Sequence, residues 1–139
     1  MKNLMHRSLF AALAVATAVA LRAEFALVGH KGLHGQTLDA ETVKAVLLGK
    51  KVTLGDARVV IVIAKNSEGQ ELFLQHALGM STSQFQNHWR RLFMTGGGSA
   101  PKIVETDADA GKLVAETAGA IAVLDKAKTD GLVVLATGK

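Results

Sequence analysis

Residues 59–71 read Val59-Val60-Ile61-Val62-Ile63-Ala64-Lys65-Asn66-Ser67-Glu68-Gly69-Gln70-Glu71, and this stretch decides the fold. Its first five positions are all apolar and all β-branched. Such a run suits a strand covered on both faces, as in a parallel or mixed sheet with helices on each side. It is too short for a buried helix. The polar turn from Lys65 to Gly69 then leads into a helix expected over Gln70 to Leu78, which Gly79 stops.

The same alternation continues in both directions. Downstream, Ser81 with Gln84 forms a capping box, and Phe85, Trp89, Leu92 and Phe93 fall at i, i+4, i+7 and i+8, one buried helix face. Thr95 to Ser99 is a loop, Pro101 sets up an extended segment over Lys102 to Glu105, and Asp107 caps a helix reaching about Thr117. Ala120 to Leu124 and Leu132 to Ala136 are the last strands. Upstream, Phe25 to Val28 is a strand. Asp39 caps a helix, Leu38 and Val43 stand as its hydrophobic staple, and Val43, Val46 and Leu47 form its apolar stripe. Gly49 ends it. Strands alternating with helices throughout give an α/β class.

The N-terminus carries an export signal. Lys2 and Arg7 form a positive n-region, Leu9 to Leu21 is an apolar run, and cleavage is expected after Ala20 or Ala23. The run is short for a membrane span of about 20 residues. Residues 1–23 are therefore the signal and 24–139 one domain, exported to the periplasm with no stable membrane span left. No cysteine occurs, so there is no site for a lipid anchor and no disulfide framework.

Charge follows from that processing. Lys2, Arg7 and Arg22 leave with a signal cut after Ala23 and no acid does, so the formal charge falls from +4 to +1. The mature chain has no clustered basic face and no stacking aromatics, which excludes nucleic acid as a partner.

Chemistry-bearing motifs are sparse. A nucleophile elbow, a paired-carboxylate signature and a metalloprotease motif are all absent, so the chain is not expected to be an enzyme and no cofactor is expected. His30 and His34 are four apart, but Gly29, Gly32 and Gly35 interrupt any helix that would align them, so no metal site is expected. His76 and His88 read as helix-surface or boundary residues. Thr95-Gly96-Gly97-Gly98-Ser99 is either an anion-binding nest or a loop where side chains do not fit.

The order of helix ends, glycines and aromatics from Leu38 to Lys102, with Leu47-Leu48-Gly49-Lys50 and Gly119-Ala120-Ile121-Ala122-Val123, resembles one lobe of the phosphate-type periplasmic solute-binding proteins. It is most similar to their short, single-lobe relatives. The resemblance implies one lobe of a type II periplasmic-binding-protein fold, a mixed sheet flanked by helices. It also implies an oxyanion site at the turn after the central strand, where the family carries an Arg-x-Asp-Gly-Ser-Gly-Thr-like segment. Here that segment is Lys65-Asn66-Ser67-Glu68-Gly69-Gln70-Glu71. Lys65 replaces the arginine, Ser67 offers one hydroxyl, and Glu68 and Glu71 depart from the pattern.

Two functions follow as expectations. In the first, the lobe binds phosphate or another small oxyanion weakly, within phosphate uptake or sensing. The anion site is Lys65, Asn66, Ser67, Gly69 and Gln70, with the loop Thr95, Gly96, Gly97, Gly98 and Ser99 closing over it. In the second, the lobe is a non-enzymatic interaction scaffold for an ABC transporter component or a sensor protein. An anion site requires basic and hydroxyl groups converging on the helix N-terminus. An interaction module requires an exposed apolar patch.

Overall fold

The computed structural model describes residues 25–96 and 100–137. Residues 1–24, Gly97, Gly98, Ser99, Gly138 and Lys139 lie outside the described residues, and the expected export signal with its cleavage sites falls among them. Five strands form one mixed sheet in the order β5-β4-β6-β1-β7: β1 is Phe25–Gly29, β4 Val60–Asn66, β5 Lys102–Thr106, β6 Ala120–Asp125 and β7 Val133–Thr137. β4 runs parallel to β5 and β6, whereas β1 is antiparallel to both β6 and β7. Among the described residues four α-helices pack on this sheet: α1 Ala40–Leu47, α2 Glu68–Leu78, α3 Thr82–Met94 and α4 Asp107–Glu116. A small hairpin, β2 Thr53–Leu54 and β3 Ala57–Arg58, stands apart from the main sheet.

The two faces of the sheet are covered unequally. Leu27, Ile61, Ile63, Ile121, Val123 and Leu135 face α1, α2 and α3, in a cluster that includes Phe73, Leu74, Phe85 and Trp89. The alternate residues, Ala26, Val28, Val62, Ala64, Ala122 and Leu124, face α4 through Ala110 and Val114. Small side chains on that second face let one helix approach closely. Burial on both faces is why β4 and β6 read as continuous apolar runs rather than alternating ones.

Local signals act where the sequence places them. Asp39 Oδ1 accepts the Thr42 amide at 2.8 Å, and Leu38 and Val43 are both buried in one cluster. Gly49, at φ 81°, lets α1 end in a Schellman motif: the Lys50 amide donates to the Ala45 carbonyl at 2.9 Å and the Gly49 amide to the Val46 carbonyl at 3.2 Å. Ser81 and Gln84 form the reciprocal capping box.

Several element boundaries and one burial differ from the sequence expectation. β4 continues through Asn66 and α2 starts at Glu68, because Ser67 is its N-cap, so Gly69 and Gln70 lie inside its first turn. Thr106, not Asp107, caps α4. Phe93 is 54% exposed, because the sheet and α1 cover α3 only along the line of Phe85 and Trp89.

Candidate functional site at the carboxyl end of the sheet

From β4 the chain passes through α2 and α3 to β5 on one side, and then through α4 across to β6 on the other. The winding reverses between β4 and β6. In open α/β sheets that reversal opens a crevice beyond the carboxyl ends of the strands, where ligands bind. The Lys65–Gln70 turn occupies this place. Ser67 is extended (φ −144°, ψ 106°), and its Oγ accepts the Gln70 amide at 3.1 Å. The amides of Glu68 and Gly69 have no acceptor among the described residues, and they point along the positive end of the α2 dipole.

The side chains around these amides are largely committed elsewhere. Gln70 is buried at 3% exposure. Its Oε1 accepts the Ala64 amide at 2.9 Å, and its Nε2 donates to the Ala64 carbonyl at 2.8 Å. Glu71 accepts the Thr82 amide at 2.8 Å and so caps α3. Bonds from the Thr82 hydroxyl and amide hold the Glu71 carboxyl below the usual carboxylate range. Lys65 Nζ lies 3.3 Å from Glu105 Oε1, across the β4–β5 ladder. Both side chains are more than half exposed, so this pair contributes less than about 1 kcal/mol and is easily broken. Asn66 is exposed at the end of β4, opposite Thr106. Phe25 packs against the first turn of α2, and a Cβ on Gly69 would collide with its ring.

The structure brings Lys65, Asn66, Ser67, Gly69 and Gln70 together at one turn. Of the glycine loop, only Thr95 and Gly96 are among the described residues. Thr95 and Gly96 follow the last turn of α3, whose thirteen residues run about 20 Å away from Thr82. The Thr95 hydroxyl caps that end by donating to the Arg91 and Leu92 carbonyls.

The carboxyl end of the sheet carries Glu68, Glu105, Asp107, Asp109 and Asp125 near Lys65 and Lys126. At the amino end, an open groove of about 690 Å³ is lined by Val52, Val59, Trp89, Phe93, Lys51 and Lys102, among others, and no carboxylate among the described residues lines it. Val52 and Phe93 on its walls are 44% and 54% exposed. Sequence reasoning placed Phe93 in the core and so missed this groove. Its sequence signal was the pairing of apolar Val52 and Phe93 with isolated lysines.

No family model and no curated protein matches the chain. Among solved structures it is similar to a phosphate ABC transporter substrate-binding protein from Clostridium perfringens, determined with bound phosphate, at TM-score 0.64 and 18% identity. That likeness covers 81% of this chain and 44% of the other. An ABC-type phosphate transport receptor from Vibrio cholerae is similar at TM-score 0.53 and 12% identity, over 81% and 45% of the two chains. The chain thus spans less than half the length of either. At these identities the likeness is one of fold: the sheet and its helices match a single lobe of the periplasmic-binding-protein architecture.

Proposed function

We propose that this chain is an exported, non-enzymatic, solute-binding-type lobe that takes phosphate or a similar small oxyanion weakly at the amino terminus of α2, in the service of phosphate uptake or sensing. The observation that carries this reading is the pair of unsatisfied amides, Glu68 and Gly69, at the reversal point between β4 and β6. Amides at a helix terminus favour an anion. The fold is shared with two proteins of phosphate transport. Lys65 supplies positive charge once released from Glu105, and Ser67 supplies a hydroxyl proton while its oxygen caps Gln70. Residues 1–23 act as the export signal, and the mass of the exported protein tells whether cleavage follows Ala20 or Ala23. Among the described residues no helix is long and apolar enough to cross a membrane. The deciding experiment is calorimetric titration with phosphate and sulfate. Saturable heat with either supports the reading, and heat with neither overturns it.

A second reading is favoured by a separate observation. Glu68 and Glu105 lie beside the α2 terminus, while exposed Val52 and Phe93 share a groove with Lys51 and Lys102 at the opposite end of the sheet. On this reading the lobe is a scaffold that docks a transporter or sensor component.

A further inference from the structure

We infer that the groove at the amino end of the sheet is a docking site for an acidic segment of a partner protein that carries apolar anchor residues. The inference rests on the scaffold reading and gives it a surface and a partner chemistry.

The groove's floor is fixed. Val46 and Ile61 are buried beneath it, and Trp89 is held at 5% exposure with its indole Nε1 donating to the Leu47 carbonyl at 2.9 Å. Its walls are apolar and solvent-exposed. Val52 comes from the segment before β2, and Phe93 from the last turn of α3. Ile103, 50% exposed, faces the same side of the sheet, as its register with Ile63 requires. Exposed aromatic and aliphatic side chains above a rigid floor form the core of an interface rather than of a monomer surface.

The occupant follows from charge and openness. Lys51 and Lys102 line the groove and no acid among the described residues does, although the mature chain is nearly neutral. A complementary segment is therefore acidic, and its charges set register and approach while its apolar residues fill the groove. The openness argues against a small molecule. Small-molecule sites bury most of their ligand, about 70–90% of its surface, whereas the walls formed by the described residues leave one side to water. An extended or helical segment can reach both walls and keep its own polar side in solvent.

Trp89 is the chain's single tryptophan, so its emission reports occupancy of the groove directly. The test titrates the full exported chain with a tryptophan-free synthetic peptide, Asp-Phe-Glu-Asp-Leu-Glu, and with the same composition lacking Phe and Leu. The expected result is a saturable change in Trp89 emission with the first peptide only. Phe93→Asp should weaken that change about tenfold or more, as for a central interface residue. Lys51→Glu with Lys102→Glu should weaken it and remove its salt dependence. Ser67→Ala should leave it alone. All these side chains except that of Ser67 are exposed, so the variants keep the wild-type melting temperature. An unchanged emission, or equal response in Phe93→Asp, overturns the proposal. So does sedimentation of the wild type with anionic vesicles that Phe93→Asp abolishes, which assigns the patch to a membrane. Self-association that Phe93→Asp abolishes assigns it to a second copy and also overturns it. If a partner crosslinks equally to wild type and Phe93→Asp, the scaffold reading stands and the groove is the wrong surface.

Discussion

The side chain of Gln70 is hydrogen-bonded to both backbone groups of Ala64, accepting its N–H at 2.9 Å and donating to its C=O at 2.8 Å. The reason lies in the sheet. β4 pairs with β6 only across Val60 and Ile61, so further along the strand the ladder on that side has ended. Ala64 is 1% exposed, and its polar groups cannot turn to water. The Gln70 amide presents one acceptor and one donor side by side, as a neighbouring strand would. Its Nε2 also reaches the Thr82 hydroxyl at 3.4 Å, which ties α2 to the start of α3.

Gln70→Ala should therefore destabilise the protein by about 2–4 kcal/mol, because two buried backbone groups lose their partner at once. Urea unfolding measures this. Gln70→Glu should also destabilise at neutral pH, since an ionised carboxylate cannot donate to the Ala64 carbonyl. Part of that loss should return on acidification, when the carboxyl gains a proton. A change below about 0.5 kcal/mol for Gln70→Ala would mean that water replaces the amide.

Gly69 and Phe25 make a second testable pair. A Cβ on Gly69 would meet the Phe25 ring, which is half-buried against the core. Gly69→Ala should cost about 1–3 kcal/mol, as overpacking does, even though alanine is the better helix former. The loss should shrink in a Phe25→Ala background. A double-mutant cycle with no coupling contradicts the contact.

Trp89 joins α3 to α1. Its ring is buried, and its Nε1 satisfies the Leu47 carbonyl at the end of α1, beside which His88 Nε2 lies 2.9 Å from the Leu48 carbonyl. Trp89→Ala should cost about 3–5 kcal/mol. Trp89→Phe should cost less, chiefly the one hydrogen bond, about 1 kcal/mol. A loss below about 1 kcal/mol for Trp89→Ala is incompatible with this burial.

The sequence made the architecture legible because its punctuation is local. Asp39, Gly49 and the Ser81–Gln84 box each act within a few residues and appear where they were expected, and the apolar run at 59–63 falls on β4, shifted at both ends. The Gly55-Asp56 hairpin went unread, as its two-residue strands leave too short a pattern to recognise. The site was far less legible. Ser67 and Gln70 have the polarity of ligand-binding residues, but the early end of the β4–β6 ladder decides that Gln70 turns inward. That event belongs to strands sixty residues apart. Phe93 fits the periodicity of its helix, and only the extent of the neighbouring elements leaves it exposed.

Acid should weaken the fold through two capping carboxylates. Thr42 and Thr82, by hydroxyl and amide, hold the carboxyls of Asp39 and Glu71 below the usual range. Folded values below unfolded ones mean stability that is complete above the unfolded range, about 4, and lost as pH falls through the folded values. The urea midpoint should therefore drop below about pH 4. Glu71→Gln, which keeps an acceptor for the Thr82 amide, should flatten part of that drop. A midpoint that rises on acidification would contradict the assignment.

The anion reading leads to the last prediction. The described residues offer an oxyanion one wall, and that wall holds two unsatisfied amides and a lysine paired with Glu105. Water on the open side screens every charge-assisted bond, so a dissociation constant near the millimolar range is expected, about −4 kcal/mol. Glu68 begins the helix and is exposed, so its charge repels the anion through solvent. Glu68→Gln should tighten binding about two- to fivefold, an effect that added salt reduces. Ser67→Ala should weaken binding and also cost about 1 kcal/mol of stability through the lost cap. Ser67→Thr, which keeps the hydroxyl, should do neither and so separates binding from folding. Calorimetry at matched ionic strength reads all three. If phosphate and sulfate give no heat far above the millimolar range, and Glu68→Gln changes nothing, the α2 terminus is only a capped turn. Its acids then serve the helix dipole, and the working surface is the one at the opposite end of the sheet.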